Sequence, residues 1–211
     1  MSVARWKPFR AVAFVVASWI AVASGPKALA EDSSLMQSDG LHPTDWGSQA
    51  IALAFADQIE ISPNSGSNDV HTVVCLGDSI TEGYGATGYP AYLETMVDKT
   101  CVNAGIGGTT SGSGASRAAK LLSRYKPGYL CVLYGANDVN QGKPAAYTMQ
   151  NLQSICDYAA ACRVCPILAT LTPMSGQYAG HEAAVKDLNV KIRNLAMAHG
   201  FRLADLEKEF E

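Results

Sequence analysis

The sequence has little charge and no long apolar run. Only 17% of its 211 residues are charged, and 16 Lys and Arg against 19 Asp and Glu give a formal net charge of −3. This composition lacks the basic surface with which proteins neutralise nucleic-acid phosphates. No stretch reaches the roughly 20 consecutive apolar residues of a membrane-spanning helix. We therefore expect neither nucleic-acid binding nor stable membrane insertion, and 48% hydrophobic residues are typical of a globular protein.

Several site motifs are absent as well. A Gly-x-Ser-x-Gly nucleophile motif around Ser79 would need glycine where Thr81 stands. The glycine-rich stretch 105–114 lacks the Gly-Lys-Ser/Thr ending of a phosphate-binding loop. His181 is followed by Glu182 but not by the second histidine of a zinc-protease helix. The sequence therefore offers none of these three sites.

Residues 1–30 have the pattern of a secretory signal peptide. Basic residues precede the apolar run 11–23, and the small-residue pattern Ala-Leu-Ala ends at Ala30. We expect cleavage after Ala30, a secreted or periplasmic location and one domain over 31–211. The alternative is an N-terminal membrane anchor, for which the apolar run is short.

The next stretch predicts a helix followed by a connector. Ile51, Phe55 and Ile59 recur at intervals of four, which is typical of an amphipathic helix over roughly 44–59. Residues 61–70 are mostly turn formers and small polar residues. We interpret them as an exposed connector.

From residue 71 onward, short apolar runs alternate with helical periodicity. The runs predict five strands, over 72–76, 101–103, 129–134, 167–171 and 201–204. Parallel strands need long crossovers, so this alternation predicts a doubly wound α/β sandwich with about five parallel strands. In such a sheet, ligands bind beyond the carboxyl ends of the strands.

Polar, glycine-flanked segments follow the first three predicted strands. They are Gly77-Asp78-Ser79-Ile80, Gly105-Ile106-Gly107-Gly108 and Gly135-Ala136-Asn137-Asp138. A serine hydroxyl, a glycine N–H and an asparagine amide supply a nucleophile and hydrogen-bond donors for acyl transfer. The missing base is present upstream, where Asp39-Gly40-Leu41-His42 places a carboxylate three residues before an imidazole.

Together these four blocks resemble those of the SGNH, or GDSL, hydrolase family. The resemblance implies a flavodoxin-like α/β fold, with Ser79 as nucleophile, His42 as general base and Asp39 orienting the imidazole. It also implies an oxyanion hole made by the N–H groups of Ser79 and Gly108 and the side-chain amide of Asn137, and it requires no metal and no cofactor.

Two features depart from the family pattern. The Asp-x-x-His block of the family follows the serine block, whereas here residues 39–42 precede it. The resemblance therefore implies a circular permutation in which residues 61–70 join the usual C- and N-termini. The second departure is Thr109, where many relatives carry aspartate.

The activity implied by the resemblance is that of an exported serine esterase that cleaves carboxylic esters through an acyl-enzyme. A short-acyl ester or a lysophospholipid-type lipid is the leading substrate class. An O-acetylated polysaccharide is the alternative. A hypothesis from another class is a non-catalytic surface-binding module, whose expected mark would be the loss of one of the four blocks.

The remaining acids, cysteines and tyrosines of interest have mostly structural roles in our prediction. We expect Asp78 and Asp138 to stabilise loops, and Cys75 and Cys131 to be buried in strands. One local disulfide is expected where the cysteines cluster, at Cys156, Cys162 and Cys165. Some tyrosines are candidates for the site wall or for ordinary packing, namely Tyr84, Tyr89, Tyr134 and Tyr178.

Overall fold

A parallel sheet lies at the centre of the described part of the chain, which comprises residues 34–59, 63 and 65–211 of a computed structural model. The signal peptide predicted over 1–30 lies outside the described residues. In that part the sheet has five strands: β1 (Asp69–Gly77), β2 (Thr100–Gly105), β3 (Pro127–Leu133), β4 (Cys165–Ala169) and β5 (Arg202–Ala204).

The strand order is β2-β1-β3-β4-β5, and every adjacent pair is parallel. The order reverses between β1 and β3, because β1 leads outward to β2 and the chain then returns to β3. This is the flavodoxin-like order of a doubly wound sheet, so the predicted fold class is confirmed. The reversal places the segments after β1 and β3 side by side.

The strand ends differ from their predicted positions for local reasons. β1 begins at Asp69, whose N–H donates to Lys126 O at 2.7 Å, so residues 69–70 belong to the sheet and not to the connector. β4 ends at Ala169, two residues before the predicted end. Beyond it, the Asn189 side chain bonds both the N–H and the C=O of Leu171, at 2.7 and 3.1 Å.

Helices cover both faces of the sheet. The described helices are α1 (Asp45–Ala56), α2 (Ser79–Glu82), α3 (Tyr89–Val97), α4 (Ser111–Tyr125), α5 (Ala136–Asn140), α6 (Ala145–Ala161), α7 (Glu182–His199) and α8 (Leu206–Glu209), with a 3₁₀ helix over Gly176–His181. α1 packs against α3, whereas α4 packs against α6, which also contacts α7. Right-handed crossovers put these two groups on opposite faces. No helix among the described residues is long and apolar enough to cross a bilayer.

The helix predicted over 44–59 is confirmed as α1. Its cap is Thr44, whose hydroxyl accepts a 3.2 Å hydrogen bond from the Gly47 N–H. Ile51 and Phe55 are fully buried, and this apolar face docks the helix on the domain core. The docking also fixes the turn that precedes α1.

The structure describes all six cysteines, and none of them is in a disulfide bond. Cys75 and Cys131 are buried in register on β1 and β3, as expected. The expected bridge among Cys156, Cys162 and Cys165 is wrong. Cys156 is buried on α6, whereas Cys162 is exposed at its end. Burial raises the pKa of Cys156 to about 12, which keeps it a thiol.

Candidate active site

Ser79 lies at the sheet edge where β1 ends. Asp78 caps the short helix α2, because its carboxylate accepts a 3.0 Å hydrogen bond from the Ile80 N–H. Ser79 is the first residue of that helix and is 8% exposed. The chain therefore turns directly after the strand and holds the hydroxyl where the strand order reverses.

The turn that precedes α1 brings Asp39 and His42 to Ser79. Asp39 Oδ1 closes the turn by accepting from the N–H groups of Leu41 and His42, at 2.9 and 3.0 Å. Asp39 Oδ2 lies 2.6 Å from His42 Nδ1, and His42 Nε2 lies 3.0 Å from Ser79 Oγ. Because an ionised carboxylate only accepts, Nδ1 carries the proton and Nε2 accepts from the serine hydroxyl. The three predicted residues thus form one hydrogen-bonded series.

The same hydrogen bonds keep the Asp39 carboxyl ionised. Partial burial opposes ionisation, but the bonds from His42 and Leu41 outweigh it and hold the pKa of Asp39 below its usual range. The stability that these bonds contribute is present above the unfolded pKa and is lost as the pH falls through the lowered one. At neutral pH the imidazole therefore faces a carboxylate.

Polar contacts at both sides dock the Asp39–His42 turn. Gln37 Nε2 donates to the carbonyl of Pro43 at 2.8 Å, within the turn, and to that of Tyr84 at 2.9 Å, beyond α2. On the other side, Gly40 O accepts from the Ser175 N–H at 2.9 Å. Gly40 has φ +75°, and a Cβ there would lie 2.2 Å from Ser175 O. This close approach requires glycine.

The loop after β2 runs against the nucleophile. A Cβ built on Gly107 would lie 3.7 Å from Ser79 Cβ, and the Gly107 N–H donates to Glu82 Oε2 at 2.8 Å. Gly108 has φ +73°, and a Cβ there would meet nothing within 4 Å, so its surroundings are open. Glu82 was not identified from the sequence, because its partner lies on a loop 25 residues away.

Asn137 links this loop to the nucleophile segment. Its Nδ2 donates to Thr109 O at 3.0 Å and lies 3.4 Å from Asp78 Oδ2. One amide hydrogen is therefore firmly bonded, whereas the other has only a long contact. The structure thus brings Asn137 to residues adjacent to Gly108 and Ser79.

Asp78 and Asp138 stabilise loops, as expected. Asp138 is fully buried and accepts from the N–H and hydroxyl of Ser111, at 2.9 and 2.5 Å, and from Thr148 Oγ1 at 3.3 Å. It therefore ties α4 and α6 to the segment that carries Asn137. Burial, helped by the charge of Asp138 and opposed by the bond from the Ile80 N–H, raises the pKa of Asp78 to about 7.

The four tyrosine candidates divide between site and core. Tyr84 is 62% exposed, and its ring lies 4.6 Å from the His42 ring between centroids. Tyr89 is fully buried by ordinary packing, whereas Tyr134, also fully buried, places its hydroxyl 3.4 Å from Thr109 Oγ1 in the glycine loop. Tyr178 is partly buried against the core.

The arrangement has the parts needed for acyl transfer. A hydroxyl, an imidazole and a carboxylate lie in series, beside an open glycine loop and an amide donor. Across residues 34–59, 63 and 65–211, no three His, Cys, Asp or Glu side chains group as metal ligands would.

Comparisons with known proteins identify a family for most of the chain. The model of the GDSL-like Lipase/Acylhydrolase family matches residues 75–211. Thioesterase 1/protease 1/lysophospholipase L1 of Escherichia coli K12 is 33% identical over 102 residues, which cover 46% of this chain and 49% of the relative. Esterase TesA of Pseudomonas aeruginosa is 35% identical over 98 residues, with coverages of 43% and 49%. The chain thus spans about half the length of these curated relatives.

A solved structure shows the same fold. It is a GDSL-like lipase from Bacteroides thetaiotaomicron, with a TM-score of 0.58 over 74% of this chain and 78% of that one, at 23% identity.

Proposed function

The chain belongs to the GDSL-like lipase/acylhydrolase family, and from this premise we propose that it is a serine esterase that hydrolyses carboxylic esters through an acyl-enzyme. The observation that carries the proposal is the series Asp39–His42–Ser79, with contacts of 2.6 and 3.0 Å. Non-catalytic binding to a surface does not require a serine hydroxyl that is hydrogen-bonded to an oriented imidazole.

In the proposed reaction, His42 Nε2 takes the proton of Ser79 Oγ as the oxygen attacks the ester carbonyl carbon. Asp39 stabilises the resulting imidazolium through Nδ1. The tetrahedral intermediate collapses, the bond to the alcohol breaks, and His42 returns the proton to the departing alkoxide. Water then attacks the acyl-enzyme with the same assistance, which releases the acid and restores the Ser79 hydroxyl.

The oxyanion formed in both steps would be bound by the N–H groups of Ser79 and Gly108 and by the Asn137 amide. The Asn137 hydrogen that has only the 3.4 Å contact to Asp78 is the one available for this purpose. Loss of one oxyanion donor typically costs about 2.7–4 kcal/mol of transition-state stabilisation. Asn137→Ala should therefore lower kcat far more than it raises KM.

The proposed substrate is a short-acyl ester or a lysophospholipid-type lipid. A relative named as a thioesterase and lysophospholipase supports this class. The exposed Tyr84 ring, 4.6 Å from the His42 ring between centroids, would offer the departing alcohol an apolar contact. Residues 1–30 would direct export, and an intact mass beginning at Glu31 after expression with the full leader would test that part.

We also propose that the domain is circularly permuted. The family match begins at residue 75, whereas Asp39 and His42 lie upstream of it. α1 contacts β5, and Arg202 Nη1 at the start of β5 donates to Gln58 O at 2.5 Å. The helix after the histidine thus packs beside the last strand, where a helix following that strand in the chain would also lie.

Re-ordering the chain tests the permutation. In the test variant, residues 66–211 come first and a Gly-Ser linker joins them to residues 34–59. This variant should retain the fold, and its rate of ester hydrolysis should lie within about tenfold of the wild type. Loss of cooperative unfolding in this variant would contradict the proposed join.

The function is tested by hydrolysis of p-nitrophenyl esters from acetyl to palmitoyl. Ser79→Ala is the blank, and Ser123→Ala, at an exposed position of α4, is the matched control. We expect the wild type and Ser123→Ala to hydrolyse the esters, and Ser79→Ala not to hydrolyse them. Activity confined to acetyl would favour the polysaccharide O-acetylesterase, and activity on long chains a lipid substrate. Wild type equal to Ser79→Ala on every ester would overturn the catalytic proposal.

A further inference from the structure

The guanidinium of Arg117 donates hydrogen bonds to residues at the start of all three loops of the site. Arg117, on α4, donates from Nη1 to Ala104 O at 3.0 Å. Its Nη2 donates to Gly77 O at 3.3 Å and to the Tyr134 hydroxyl at 2.5 Å. The three acceptors come from β1, from β2 and from the residue directly after β3.

Each acceptor lies just before a residue of the proposed chemistry. Gly77 is two residues before Ser79, and Tyr134 is three residues before Asn137. Ala104 similarly precedes the glycine loop that contains Gly108. The guanidinium therefore bonds the backbone at the start of the nucleophile segment and of the glycine loop, and it bonds the side chain of the tyrosine that begins the amide segment.

Further bonds carry this fixation toward the site. Gly77 O also accepts from the Ile106 N–H at 3.1 Å, which joins the first two loops directly. The Tyr134 hydroxyl lies 3.4 Å from Thr109 Oγ1, and Thr109 O accepts from Asn137 Nδ2 at 3.0 Å. Burial keeps the pKa of Tyr134 above its usual value despite the neighbouring Arg117, so the phenol stays protonated.

The chemistry of the side chain explains why this position suits arginine. A planar guanidinium directs several donors along fixed directions and remains charged, whereas an ammonium group is a compact point charge. Three oxygens in different directions require such a fork. A shift of about 1 Å at the reacting groups can cost about 10²-fold in rate, so the spacing of the loops matters for chemistry as well as for stability.

We propose that Arg117 is a positioning residue, whose guanidinium sets the distances between Ser79, Gly108 and Asn137 through the strand ends. This inference rests on the proposed esterase function. It assigns to Arg117 no contact with substrate.

The test is Arg117→Lys, which keeps the charge and loses the fork. Active sites are counted by stoichiometric phosphorylation of Ser79 with a p-nitrophenyl phosphate triester, which releases p-nitrophenol, and kcat is expressed per titrated site. We expect kcat to fall about 10–100-fold with KM changed less than about threefold. Arg124→Lys, at an exposed position of the same helix, should behave as the wild type. Tyr134→Phe, which removes one acceptor, should show a smaller fall.

A second variant guards against simple misfolding. Arg117→Gly should regain part of its kcat when millimolar guanidinium is added, whereas Arg124→Gly should not respond. If Arg117→Lys lowers only the thermal midpoint or the titratable fraction, with kcat per site unchanged, the positioning role is wrong. If the wild type itself equals Ser79→Ala, the esterase proposal fails first, and that outcome is distinct from a failure of the Arg117 proposal.

Discussion

The Asp39–His42 turn and the loops after β1, β2 and β3 contribute to one site but are held in different ways. The turn is built by bonds within four residues, and it is docked by the buried Leu41 side chain and by hydrogen bonds of Gln37 and Gly40. The loops after β1 and β3 instead extend from buried strand ends, and the fully buried Asp138 ties the segment after β3 to the start of α4. The proposed acid–base pair is therefore assembled locally and placed by one buried side chain and a few polar contacts, whereas the nucleophile side continues directly from buried strands.

The largest effect is expected from His42→Ala. Without the imidazole, Ser79 loses the base that its hydroxyl contacts at 3.0 Å, so kcat should fall at least about 10⁴-fold. The folded state should persist, because His42 lies on the docked turn and outside the buried strands. Stopped-flow hydrolysis and thermal unfolding measured together would check both parts. Activity retained within tenfold would show that another base serves Ser79.

Asp138→Ala, unlike His42→Ala, should cause a large loss of stability. Removal of the carboxylate leaves the donors of Ser111 and Thr148 buried without their acceptor, which should lower the free energy of unfolding by about 3 kcal/mol. Urea unfolding measures this change. Asp187→Ala, which removes an exposed ion pair with Lys191, should cost less than about 1 kcal/mol. Equal losses in the two variants would contradict the assignment of Asp138 to a buried anchor.

The same comparison shows what sequence reasoning can find. Ser79 and Asn137 were placed together because strand periodicity locates strand ends, and parallel ends meet at one edge. Asp39 and His42 were identified because they lie three residues apart. Gln37 and Arg117 give no signal in the sequence, since Gln37 reaches Tyr84, 47 residues away, and Arg117 reaches Gly77, 40 residues away, only through packing. The wrong disulfide has a similar cause, because spacing alone did not reveal that Cys156 is buried and Cys162 exposed.

Asp78 predicts a pH dependence of stability that belongs to the nucleophile side. Its pKa is about 7 in the folded state, against about 3.9 for an unfolded aspartate, so the folded state holds the proton more tightly. This contribution favours folding at low pH and is lost as the pH rises from about 4 to about 7, by at most about 1.4 kcal/mol per pH unit. Asp78→Asn keeps a capping side chain and should remove this slope. Urea unfolding of both proteins from pH 4 to pH 8 measures it, and identical slopes would refute the assignment.

The smallest expected effect tests how the turn is placed. Gln37→Ala removes the bonds to the carbonyls of Pro43 and Tyr84 but leaves the Asp39–His42 bond intact. Because the imidazole would then sample positions away from Ser79, we expect kcat/KM to fall about fivefold, or about 1 kcal/mol, with little change in thermal midpoint. Gln150→Ala, at an exposed position of α6, is the matched control. The opposite result would be a Gln37→Ala variant that keeps its kcat/KM but loses as much stability as Asp138→Ala. It would show that Gln37 supports the fold and not the position of the imidazole, and the contrast between the turn and the loops would then be wrong.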